Sequence, residues 1–81
     1  MELKTTPYFE YQVLRKRPYI RREWCAQVLR NPICRELQDD GRIRALGLYC
    51  RPRRALRVIT LAEGETVHNA FPDRDFEEMA P

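Results

Sequence analysis

The sequence predicts a single α+β domain in which two N-terminal helices pack on a four-stranded antiparallel meander sheet. Three observations predict this class. Apolar residues recur at helical spacing up to Pro32, and after Pro32 they recur at every second position, as in a strand. Two turn sequences then follow, Asp39-Asp40-Gly41 and Glu63-Gly64-Glu65. A chain of 81 residues holds one small domain. This length excludes a multidomain enzyme and a dinucleotide-binding fold.

Both helices are predicted to precede Pro32. The hydroxyl residues Thr5 and Thr6 before Pro7 are a helix-start signal, so the first helix spans about residues 7–16 and ends before Pro18. The second helix is predicted from an apolar stripe flanked by arginines, and it ends at Asn31-Pro32. The stripe consists of Ile20, Trp24 and Val28.

Four strands are predicted after Pro32, at residues 33–38, 42–50, 55–62 and 66–71. The third has apolar residues on both faces, which is typical of a central strand. Residues 2–5 are a candidate for a further short edge strand. We expect one domain over residues 1–74, followed by an acidic tail over residues 75–81.

Charge is unevenly distributed along the chain. Thirteen of the 15 cations are Arg, the formal net charge is +3, and the last ten residues sum to −3, so residues 1–71 carry +6. Residues 15–22 hold five cations and residues 41–62 hold six, and neither run contains an acid. Such runs indicate an anionic partner such as RNA, although each can also be a solvated face. The candidate nucleic-acid-binding residues are Arg15, Lys16, Arg17, Arg21, Arg22, Arg42, Arg51, Arg53 and Arg54.

Other residue types favour a cytoplasmic protein with no metal and no cofactor. The cysteines Cys25, Cys34 and Cys50 form no CxxC motif and His68 is the only histidine, which argues against a zinc site and a disulfide framework and favours free thiols. The chain has neither the apolar run of a signal peptide nor the longer one of a membrane-spanning helix.

The run DGRIRALGLYCRPRRALRVITLAEGETVHNAFPDRDF, residues 40–76, resembles the C-terminal half of the RelE/BrnT superfamily of small ribonuclease toxins. The matching pieces are LRVIT, EGE and PDR, at residues 56–60, 63–65 and 72–74. The whole chain is also similar to a related family of small bacterial domains of unknown function. The resemblance implies a RelE-like fold, RNA as a partner, which can be ribosome-bound, and an antitoxin-like protein that holds the toxin.

The resemblance also implies roles for individual residues. Arg57 matches the strand arginine that contacts the scissile phosphate, Arg74 matches the arginine after the last strand, and Arg44 resembles an arginine of the BrnT type. The chain departs from the pattern at two points. Phe76 stands near the position of the toxins' C-terminal tyrosine, and Tyr8 stands where related domains have a histidine.

Two classes of function follow. The first is a toxin-like metal-independent endoribonuclease, with Arg57, Arg44 and Arg74 stabilising phosphate and His68 as acid or base, because its unperturbed pKa is near neutrality. Strict alternation puts His68 on the face opposite Val67. The second class is a non-catalytic module that binds RNA or a protein. In that case Arg57 forms an ion pair with Glu36 or Glu65, and His68 is structural or merely exposed.

Overall fold

The computed structural model describes residues 3–49 and 54–73. Helix α1 comprises residues 7–16, in which the π-helical segment Phe9–Val13 is followed by the α-helical turn Leu14–Lys16. Helix α2 is Arg22–Arg30. The strands are β1 (Cys34–Leu37), β2 (Ile43–Leu48), β3 (Ala55–Thr60) and β4 (Val67–Pro72). The predicted α+β class, with two helices and a four-stranded antiparallel sheet, is confirmed.

The predicted signals at the start of α1 and in the turn of the first hairpin are present. The Phe9 N–H donates to the Thr6 hydroxyl at 3.2 Å, so this hydroxyl caps the first turn of α1. Gly41 closes the turn between β1 and β2 with φ of 88°, a left-handed conformation that glycine adopts without steric cost. There the Gln38 N–H donates to the Arg42 carbonyl at 2.7 Å.

The sheet is a meander with strand order β1-β2-β3-β4 and antiparallel pairing throughout. Both helices pack on one face, α2 against β2 and β3 and α1 against β4. Gly47 permits the close approach of α2, because a Cβ at this position would lie only 3.1 Å from Val28 Cγ1. The core between the layers consists of Phe9, Val13, Ile20, Cys25, Val28, Ala45, Tyr49, Leu56, Val58, Val67 and Ala70.

A β-bulge interrupts the alternation of β4 at His68. Thr60 pairs with Val67 and Ile59 pairs with Asn69, so His68 is the extra residue. Val67 and Ala70 therefore both reach the core, although strict alternation predicts that they point to opposite faces. The predicted alternation is wrong here because it assumes a regular strand.

The chain before α1 pairs with β4. Thr5 forms a single parallel bridge with Val67, and the Val67 N–H donates to the Lys4 carbonyl at 2.8 Å. The segment predicted as a further edge strand thus contributes one bridge, while Glu2 lies outside the described residues. Within residues 3–49 and 54–73, no helix is long and apolar enough to cross a lipid bilayer.

Candidate nucleic-acid interface

The face of the sheet opposite the helices carries two of the predicted phosphate-binding arginines. Leu46 and Phe71 are the cross-strand neighbours of Arg57, and Glu36 is opposite Arg44. Arg44 and Arg57 are half-buried, so each needs a compensating partner. The register therefore brings both arginines to one face of the sheet.

Both of these arginines bind carboxylates. Arg57 Nε donates to Asp73 Oδ2 at 2.8 Å, and an Arg44 terminal nitrogen (Nη2) donates to Glu36 Oε2 at 2.5 Å. The bond from Arg44, with a smaller contribution from the charge of Arg57, lowers the pKa of the Glu36 carboxyl group. The expected ion pair of Arg57 exists, but its partner is Asp73 rather than Glu36 or Glu65. A phosphate on this face would have to compete with two carboxylates.

His68 contacts the beginning of α1. Its Nδ1 is 3.0 Å from the Thr6 hydroxyl oxygen, and its ring stacks on Tyr8 with the centroids 4.8 Å apart and the planes at 22°. Burial is the largest cause that lowers the pKa of His68, the charge of Arg42 lowers it further, and Asp40 opposes them. The imidazole is therefore neutral at pH 7. Phe71, not His68, pairs with Arg57, so these two candidate catalytic residues are not cross-strand neighbours in the sheet.

Some of the predicted binding residues already lie beside carboxylates, and others lie outside the described residues. Arg22 forms an ion pair with Glu10, and Arg42 lies 3.5 Å from Asp40. Glu10 also accepts a hydrogen bond from the Thr5 hydroxyl at 2.6 Å, which is the main cause that lowers its pKa. Arg54 is exposed. The remaining predicted residues, Arg51, Arg53 and Arg74, lie outside the described residues.

The strongest concentration of unpaired positive charge is at the junction of the two helices. Across residues 3–49 and 54–73, six cations are in no ion pair and have no other charged partner. Four of them lie within seven consecutive positions, and three of these four are exposed. We call this set the junction cluster: Arg15, Lys16, Arg17 and Arg21. The other two, Arg30 and Arg35, lie on the last residue of α2 and on β1.

Aromatic side chains and an open groove lie beside the junction cluster. Tyr11 is 70% exposed and Tyr19 is 55% exposed. An open groove of about 400 Å³ on α1 is lined by Glu10, Tyr11, Leu14 and Arg15. The sequence indicates the cations but not this groove, because the outward position of Tyr11 depends on how the π-helical segment buries Phe9 and Val13.

The arrangement combines unpaired cations with exposed aromatic rings near the junction of the two helices. In the part of the chain that the structure describes, no three His, Cys, Asp or Glu side chains are grouped so that they could hold a metal ion. Comparison of the chain with protein-family models, with curated proteins and with solved structures found no match in any of the three.

Proposed function

We propose that this chain is a toxin-like, RNA-directed cytoplasmic domain that holds the phosphate backbone of RNA at the junction cluster. One observation carries the proposal: four of the six unpaired cations of the described residues lie within residues 15–21, from the last turn of α1 to the residue before α2. The resemblance of residues 40–76 to the RelE/BrnT ribonuclease toxins supports the choice of RNA as the anion.

Unpaired surface arginines and lysines are suited to this role. Phosphate contacts release counterions from the nucleic acid, and this gain in free energy does not depend on base sequence. An arginine already bound to a carboxylate must first give up that ion pair. The junction cluster avoids this cost, whereas Arg44 and Arg57 on the sheet incur it.

The proposal is tested by measuring RNA affinity after charge removal. In Arg15→Gln/Lys16→Gln, two exposed cations of the junction cluster are lost, and neither of them supports the core. With a counterion-release slope of about −0.7 per contact on a single strand, the loss of two contacts weakens binding about 25-fold near 0.1 M salt.

A matched control distinguishes RNA binding at the junction cluster from a general effect of net charge. Arg30→Gln/Arg35→Gln removes the same charge from two exposed arginines that are also outside any described ion pair. We expect this control to bind RNA within about two-fold of the unaltered chain. Equal losses in both double variants would show that net charge alone is responsible, and the proposed interface would be wrong.

A second function, metal-independent RNA cleavage, is favoured by the surroundings of His68. The Thr6 hydroxyl engages Nδ1, and the lowered pKa keeps the ring neutral. Depending on the tautomer, Nε2 is then either a base or a proton donor. The stacked Tyr8 hydroxyl is a second proton-transfer group, and its side chain is partly open to solvent, at 46% exposure.

In this reaction the 2′-oxygen attacks the adjacent phosphorus while a base takes its proton. The bond from phosphorus to the 5′-oxygen breaks, and an acid protonates the leaving oxygen. The products are a 2′,3′-cyclic phosphate and a 5′-hydroxyl. Arginine charge at the phosphate would stabilise the phosphorane, and an antitoxin-like protein would restrain the activity in the cell.

Cleavage is tested with purified protein, RNA and a metal chelator, with and without ribosomes, and by growth after expression. His68→Gln and Tyr8→Phe should each remove cleavage while RNA binding persists, because neither belongs to the junction cluster. Arg57→Ala should relieve growth arrest if the sheet face also contacts phosphate. If the unaltered protein neither cleaves RNA nor arrests growth, the binding role alone remains.

A further inference from the structure

The groove on α1 is lined by an aromatic, an apolar, a cationic and an acidic side chain. Tyr11 is 70% exposed, while Leu14 is half-buried against the core. Arg15 lines the same groove and belongs to the junction cluster. The groove therefore continues directly into the surface proposed to hold phosphates.

The ring of Tyr11 is available for stacking, whereas the rings of Tyr8 and Trp24 are already in ring contacts. Tyr8 already has one ring face on His68, and Trp24 packs against Tyr49 with their centroids 4.8 Å apart. No ring contact is found for Tyr11 among residues 3–49 and 54–73. A tyrosine that is exposed in this way, beside cations, is the usual platform for an unpaired nucleobase.

Glu10 does not block a base from entering the groove. Its carboxylate is held by Arg22 and by the Thr5 hydroxyl, so its negative charge is compensated. A phosphate would still avoid this carboxylate and bind on the Arg15 side. The groove thus separates a place for a base from a place for its phosphate.

We propose that the RNA bound by this chain is single-stranded, with one base stacked on Tyr11 in the α1 groove and its phosphate on Arg15. This inference rests on the proposed RNA-binding function and names its substrate class. In duplex RNA the bases are stacked on one another and the helix presents mainly its backbone. A duplex therefore contacts the junction cluster without using Tyr11.

The experiment compares a labelled single-stranded RNA with a duplex of equal length by fluorescence anisotropy. Stacking of one base contributes about 1–3 kcal/mol, so Tyr11→Ala should weaken single-strand binding at least about five-fold and leave duplex binding unchanged. Tyr11→Phe should bind like the unaltered chain because the ring is kept. Tyr11→Leu should resemble Tyr11→Ala, because it keeps apolar area but lacks a π face.

Leu37→Ala is the matched control, because Leu37 is an equally exposed large side chain, at 77%, on β1. It should leave both affinities unchanged. Equal affinity for both RNA forms, together with no effect of Tyr11→Ala, would overturn the single-strand inference, and the proposed function would stand if Arg15→Gln/Lys16→Gln still weakened binding. If neither RNA form binds at low salt, the proposed function and this inference both fail.

Discussion

Gly47→Ala tests how closely α2 is seated on the sheet. In the present structure, an ideal Cβ at residue 47 would lie 3.1 Å from Val28 Cγ1, 3.3 Å from its Cα and 3.4 Å from its Cβ. Carbon atoms attract best at about 3.5–4.0 Å, so α2 must move outward by a few tenths of an ångström. Val28 is fully buried, so its side chain cannot turn away into solvent.

The cost of this substitution is the balance of two effects. Overpacking a core costs about 1–3 kcal/mol, while replacing glycine restricts the unfolded chain and returns about 0.4–1 kcal/mol. Taken at the middle of each range, about 2 and about 0.7 kcal/mol, the two effects leave a net loss of about 1.3 kcal/mol. At about 4–8 °C per kcal/mol for a domain of this size, the Tm should fall by about 5–10 °C.

Thermal and urea unfolding followed by circular dichroism measure this loss. A double-mutant cycle with Val28→Ala adds a sharper readout, because a shorter residue 28 removes one of the three close contacts. The double variant should be less destabilised than the sum of the single variants by at least about 0.5 kcal/mol. Gly47→Ala with unchanged or raised stability, or strict additivity with Val28→Ala, would refute the close approach of α2 to β2.

Three further predictions concern protonation, thiol access and the tail. Because the pKa of His68 is lowered in the folded state, protonation of His68 favours the unfolded state. The free energy of unfolding should therefore fall as the pH drops below 6.5. Urea unfolding at each pH should show a smaller fall for His68→Gln. Burial raises the pKa of Cys25 to about 12, whereas Cys34 is exposed. In a Cys50→Ser background, one thiol of the native protein, that of Cys34, should therefore react with a thiol reagent. Two reacting thiols would contradict the burial of Cys25. Deleting residues 75–81, which carry three acids and no cation, should raise RNA affinity at low salt, and unchanged binding would argue against any effect of the tail.

Local signals were sufficient to predict the elements of the fold. These signals are the Thr6 cap, the Gly41 turn and the change of apolar spacing after Pro32. Each depends on a few neighbouring residues, so it can be recognised in the sequence without tertiary contacts. The predicted strands are one or two residues longer than the observed ones at most ends. The bulge at His68 has no local signal, because a single inserted residue leaves the composition of β4 unchanged.

The site was harder to predict because charge pairing is a long-range property. The cations of the junction cluster stand out in the sequence because no acid interrupts them, and in the fold they remain unpaired within the described residues. Arg57 and Arg44 stand out equally, but the register brings Asp73 and Glu36 beside them. Asp73 is adjacent because its N–H continues the ladder to the Ala55 carbonyl at 2.9 Å.

The salt dependence of RNA binding tests the central claim most directly. Four phosphate contacts at the junction cluster predict that log K falls with log salt at a slope of about −2.8 for a single strand, and Arg15→Gln/Lys16→Gln should reduce it to about −1.4. Arg30→Gln/Arg35→Gln should keep the original slope. A junction variant that retains the full slope, or a control variant that loses as much, would contradict the assignment of RNA binding to the helix junction.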